Sequence, residues 1–186
     1  MSRILRTALI LAALFATTQF AKAQSTAVAS GNWSSPATWG GAVPAGTETD
    51  IVIPMGIDVL LDTDVECGEL LVQGRLEVQR ADRTLTCDSL IVMGANAEFE
   101  VGTDANRFTD LFVLTLKGET TEKFIHHSHD MGARALLAMM GGTITMHGED
   151  RVEWTRLGAN VAASATAITM SEAVDWRAGD EILICS

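Results

Sequence analysis

The chain has 186 residues, 47% of them hydrophobic, with 24 acidic against 13 basic side chains and a net charge of −11. That is one domain's worth of chain, with ample apolar material for a core. The anionic balance excludes nucleic acid as a partner and opposes bulk electrostatic capture of any polyanion.

Residues 1–23 read as a secretory signal peptide. Arg3 and Arg6 supply the positive start, Ala8 to Ala16 an apolar run too short to span a bilayer, and Ala21-Lys22-Ala23 a small-x-small cleavage site. Cleavage after Ala23 takes away Arg3, Arg6 and Lys22 and no acid, which leaves ten bases against 24 acids, a net charge of −14. No second apolar run approaches spanning length. Residues 24–186 are therefore expected as a single domain without a membrane span, secreted to the cell exterior or the periplasm.

Beyond the leader, an apolar phrase closed by glycine recurs. Glu69 to Gly74, Ser89 to Gly94, Val113 to Gly118 and Leu136 to Gly141 each carry apolar residues four and two positions before the glycine: Leu70/Val72, Leu90/Val92, Leu114/Leu116 and Leu137/Met139. Ile51 to Gly56 is a weaker copy. Alternation marks strands with one buried face, and a near-regular period marks a repeat architecture. One strand and turn cannot bury its apolar face alone, whereas stacked coils can. The expected fold is all-β, a right-handed parallel β-helix of about five rungs, with Leu70, Leu90, Leu114 and Leu137 in one inward ladder. Glycine suits the shared corner because it reaches positive φ without a Cβ clash. The competing architecture is a β-sandwich, which needs recurring turns but not whole phrases in register.

Cys67 and Cys87 each stand seven residues before a corner glycine, so they are expected to stack on neighbouring coils about 4.8 Å apart. Either a disulfide in an oxidising compartment or two buried thiols fits that placement. Cys185 has no matching partner in the pattern.

Candidate site residues follow along the chain. Trp33 and Trp39 precede the first rung, and Trp154 and Trp176 follow the last. Indole faces make flat apolar platforms for sugars, and their placement equally suits end caps of a solenoid. Arg151 and Arg156 beside Trp154 are the cations that an acidic saccharide would need; Arg75, Arg80 and Arg83 form a second basic group. His127, His129 and Asp130 sit in a His-rich loop whose imidazoles and carboxylate suit a divalent transition metal, although the bland reading is a solvated polar loop. His147, Asp175 and Asp180 are the weak catalytic candidates, since glycoside hydrolysis needs two carboxylates roughly 5 to 9.5 Å apart. Asp175 and Asp180 also flank a Trp-Arg-Ala-Gly turn, which explains them without chemistry.

Taken in order, Trp33…Trp39-Gly40-Gly41…Pro44, Gly141-Gly142…His147-Gly148 and Val174-Asp175-Trp176-Arg177-Ala178-Gly179-Asp180-Glu181-Ile182 resemble the G-eight domain, an extracellular domain named for its glycines. The resemblance covers about residues 31–184. It implies a β-rich carbohydrate-associated module, related to proteins that bind or degrade hyaluronan and standing ahead of further β-helical coils. It transfers no active site, because no positions here match one, so the chain is expected to lack catalysis by itself. A purely structural or adhesive solenoid segment is the alternative function.

Overall fold

The computed structural model describes residues 22–119, 125–126 and 129–184. Strands form where apolar residues alternate, and they succeed one another as coils. The first coil holds β1 (Ala23–Thr26) and β2 (Gly31–Asn32), and the second β3 (Thr49–Ile53), β4 (Asp58–Leu61) and β5 (Val65–Glu66). The third holds β6 (Leu70–Val72), β7 (Arg75–Val78) and β8 (Arg83–Cys87), and the fourth β9 (Leu90–Met93), β10 (Glu98–Val101) and β11 (Phe112–Leu116). A small hairpin, β12 (Ile125–His126) and β13 (His129–Asp130), precedes the fifth coil, β14 (Leu136–Met139) and β15 (Thr143–Met146).

Successive coils stack in parallel into three sheets, β1-β3-β6-β9-β14, β2-β4-β7-β10-β15 and β5-β8-β11. The solenoid expectation is met, with five coils in the two larger sheets. Helical structure among the described residues is limited to the 3-10 turn Pro36–Trp39, and no helix there is long and apolar enough to cross a membrane.

The core is a set of ladders. In the first sheet Ile51, Leu70 and Leu90 align, as do Ile53, Val72 and Val92. In the second, Val59, Leu76, Phe99 and Ile144 align. In the third, Val65, Leu85 and Leu114 align, and Cys87 pairs with Leu116. All but Leu114, Leu116 and Ile144 are buried, and those three pack against the buried cluster. Each buried aliphatic side chain contributes about 1.5–3 kcal/mol.

Two expected alignments are corrected. Leu114 lies in the third sheet over Leu85, not over Leu90, and the β14 partner of Leu90 is Leu136, while Leu137 matches Ile91. The apolar-Gly phrase serves two different corners: Gly74, Gly94 and Gly141 leave the first sheet, whereas Gly118 leaves the third. Positive φ is reached at Gly56, Gly94 and Gly141, as expected, but not at Gly74 or Gly118. Gly118 has none and is required by crowding, since a Cβ there would collide with the Ala133 carbonyl.

Trp33 and Trp39 close the first coil. They are 1% and 7% exposed and meet edge to face at 4.8 Å between centroids. The Trp39 indole N–H donates to the Trp33 carbonyl at 2.7 Å. Nearby, the Asp62 carboxylate accepts from Asn32 Nδ2, Ser34 N and Ser34 Oγ, tying this cap to the second coil. Burial works against its ionisation, but the hydrogen bonds from Ser34, from its own backbone and from Asn32 together hold its pKa below the usual value.

Cys67 and Cys87 are buried free thiols on adjacent coils, Cys67 N–H donating to the Thr86 carbonyl at 3.0 Å. Of the expected leader, Lys22 and Ala23 are described. Ala23 opens β1, and Lys22 Nζ meets the Asp88 carboxylate at 2.5 Å. Residues 1–21, His127 and Cys185 lie outside the described residues.

Candidate functional site

After Gly148, which bridges to Phe108, the chain leaves the coils. Residues 149–184 form a tail with one antiparallel bridge, Leu157 to Met170. Side chains do the work that ladders do elsewhere. Asp175 Oδ1 accepts from Val152 N–H at 2.9 Å, and the Asp175 carbonyl accepts from Arg151 Nη1 at 3.2 Å. The Trp176 indole N–H donates to the Val152 carbonyl. Asp180 closes the next turn, its carboxylate accepting from Arg177 N–H at 2.7 Å.

These bonds lay the segment 151–157 beside 170–183 and leave a cleft of about 510 Å³ between them. Arg151, Glu153, Trp154, Trp176, Asp180 and Glu181 are on its wall. Trp154 is 72% exposed and Trp176 half-buried. A second hollow of about 300 Å³ continues past Trp176 and takes in Arg156. Four of the six saccharide-binding candidates read from the sequence, Arg151, Trp154, Arg156 and Trp176, therefore converge. Trp33 and Trp39 do not, because their indoles are buried in the first-coil cap and offer no face to a ligand.

Electrostatically the cleft is acidic. Its wall carries one guanidinium against the carboxylates of Glu153, Asp180 and Glu181. Arg151 is itself engaged, 3.6 Å from Glu149 and 3.7 Å from Asp180, and Arg177 holds Glu149 at 2.9 Å. The other basic group is also occupied. Arg75 lies among Glu77, Glu98 and Glu100 at 2.7, 3.5 and 2.6 Å. Arg80 donates to the carbonyls of Asn106 and Arg107, and Arg83 to Gln79 and the Asp82 carbonyl.

His147 turns the corner after β15, its N–H on the Val101 carbonyl and its own carbonyl accepting from Phe108 N–H. Asp175 and Asp180 are committed to backbone N–H groups of the tail. Of the metal candidates, His129 and Asp130 form β13, paired against β12, and Asp130 accepts from Gly132 N–H at 2.9 Å. Among the described residues no group of three or more His, Cys, Asp or Glu side chains is arranged to hold a metal ion.

Glu153, Ile182 and Leu183 belong to the cleft and were not singled out for it from the sequence. Their only signal is adjacency to Trp154 and to the Asp180-Glu181 pair.

Residues 38–158 match the family model described as the G8 domain. Fibrocystin-L of Mus musculus is 32% identical over 159 residues, covering 83% of this chain and 4% of that protein. Fibrocystin-L of Homo sapiens is 32% identical over 157 residues, again covering 83% and 4%. Cell surface hyaluronidase of Danio rerio is 28% identical over 124 residues, covering 63% of this chain and 9% of its own length. The chain thus spans less than a tenth of each of these relatives. No solved structure matches it.

Proposed function

Since the chain belongs to the G8 domain family, we propose that it acts outside the cell as a carbohydrate-associated module, docking a saccharide in the tail cleft without cleaving it. The observation that carries this reading is the exposed Trp154 indole beside Trp176 in a cleft of saccharide size. An indole face supplies affinity for the apolar face of a sugar, while the surrounding carboxylates accept hydrogen bonds from its hydroxyls and the guanidinium donates to them. Export rests on the N-terminal pattern of residues 1–23, and it agrees with a relative named for the cell surface. The non-catalytic reading rests on Asp175 and Asp180, whose carboxylates hold the tail together and so are not free as an acid–base pair.

The same relative's name makes hyaluronan the first polymer to try. Incubating the purified exported chain with size-defined hyaluronan, and following retention and polymer length together, tests the reading. An unshortened polymer, held only weakly against this acidic wall, is the result expected of a docking module. Shortening that is lost in Asp175→Ala or His147→Ala would make this domain the enzyme and overturn it.

A second reading, a structural module that packs against further β-helical coils, is favoured by the apolar residues the tail exposes, Leu183 at 88% and Ile184 at 56%. Under that reading the chain retains no saccharide.

A further inference from the structure

We infer that the tail cleft selects an uncharged chain of equatorially substituted hexopyranoses, of the glucose or N-acetylglucosamine type, and discriminates against polyuronates. The inference rests on the saccharide-docking reading above and names its ligand class.

Three features converge on it. The first is the balance of hydrogen-bonding groups. Glu153, Asp180 and Glu181 bring acceptors only, while the charged donor on the wall, Arg151, already faces Glu149 and Asp180. An acceptor-rich wall calls for a donor-rich ligand, and sugar hydroxyls are donors where a uronate carboxylate is not. The second is charge. The wall carries two more negative than positive charges, on a chain that is itself strongly anionic. Each carboxylate of a polyuronate would add a repulsive pair at close range, which screening by salt lessens and does not reverse. Of the other arginines, Arg75 is surrounded by three carboxylates, Arg80 and Arg83 donate to carbonyls and Gln79, and Arg156 lines the adjoining hollow and not this wall.

The third is shape. Trp154 presents its ring to solvent, with Ile182 and Leu183 exposed on the same cleft. A pyranose whose hydroxyls are all equatorial carries its C–H bonds axially and so has a flat apolar face to lay on an indole. A sugar with axial hydroxyls lacks that face.

The test titrates the full exported chain with a β-1,4-linked glucose hexasaccharide and with a hyaluronan hexasaccharide, at low and high salt, by indole fluorescence and by calorimetry. The neutral sugar is expected to bind at least about tenfold more tightly, with little dependence on salt, and Trp154→Ala is expected to abolish that binding. Because Trp154 is exposed, the variant keeps its fold, which the far-ultraviolet circular dichroism spectrum checks. Glu153→Gln with Glu181→Gln is expected to improve hyaluronan binding and to weaken that of the neutral sugar, which loses two charged acceptors, so that the preference narrows. Tighter binding of hyaluronan that weakens with salt overturns the charge selectivity and leaves saccharide docking intact. Failure of both sugars to bind, binding that survives Trp154→Ala, or self-association through the cleft overturns the docking reading, and this inference with it.

Discussion

Replacing Gly74 with alanine tests how the coils are spaced. Gly74 turns the chain from β6 into β7, and its φ is not in the left-handed region. A Cβ placed there falls inside 3.0 Å of the carbonyl oxygens of both Ile57 and Pro54, a separation that real Cβ atoms essentially never show. Both obstacles are backbone of the coil beneath, so neither can swing aside as a side chain would. The Ile57 carbonyl also accepts the Arg75 N–H at 3.0 Å, a bond that joins the two coils at this corner. Displacing it costs about 1–3 kcal/mol for the buried groups left unpaired, and forcing the coils apart about 1–3 kcal/mol more. The stiffer unfolded chain returns roughly 0.4–1 kcal/mol. The net loss is about 1–6 kcal/mol, at its upper end a large part of the 5–15 kcal/mol that roughly bounds the stability of a domain.

Gly56, at the same corner one coil earlier, is the control. It has φ +81° and open space around its Cβ position, so alanine there carries the left-handed penalty of about 1–2 kcal/mol and no collision. Urea denaturation followed by the fluorescence of the buried Trp33–Trp39 pair gives both midpoints. A Gly74→Ala loss no larger than that of Gly56→Ala would refute the reasoning, because it would show that coil spacing yields freely at the corner.

Two further outcomes are expected. Glu69 is half-buried, and burial first, then Asp50 and Asp88, raise its pKa against the opposing pull of Lys22. A raised carboxylate pKa means that the folded state holds the proton more tightly, so stability is lost as pH climbs through the folded value. Glu69→Gln should therefore raise the denaturation midpoint at neutral pH, with the advantage fading below the ordinary glutamate range. An unchanged midpoint across that window would refute the assignment. The thiols of Cys67 and Cys87 are pushed up by burial, that of Cys87 to about 12, and both side chains are in the core. An alkylating reagent at mildly alkaline pH should leave both untouched in the native chain and modify both once it is denatured. Rapid native labelling of either would contradict their burial.

The stacking of the coils could be read from Leu70/Val72 and Leu90/Val92 because alternation and a repeating corner are local signals that the solenoid merely accumulates. The place of Leu114 could not. Its phrase has the same chemistry as the others, and nothing within six residues says which of three corners a glycine turns. The longer fourth coil, 46 residues from Leu90 to Leu136 against 20 from Leu70 to Leu90, then carried the apparent period off register. At the site, Arg151, Trp154 and Trp176 were legible as chemistry. Their convergence was not, since it is arranged by Asp175 reaching the Val152 N–H, a side-chain bond with no periodicity to betray it. The opposite fates of the tryptophans were likewise hidden. Trp33 and Trp39 are folded onto each other by the turn Pro36–Trp39, whereas Trp154 has no such turn beside it.

The bonds between coils run along the stacking axis, with β1 and β14 at opposite edges of one sheet. Tension applied between the first coil and the tail therefore loads those bonds one after another, as in opening a zipper, and not all at once as in shear. Coils come away singly, and each coil of 20 residues, such as Leu70 to Leu90, releases about 65–70 Å of extended chain where it had occupied about 4.8 Å. Held at both ends, such a stack would give up length in steps, one coil at a time.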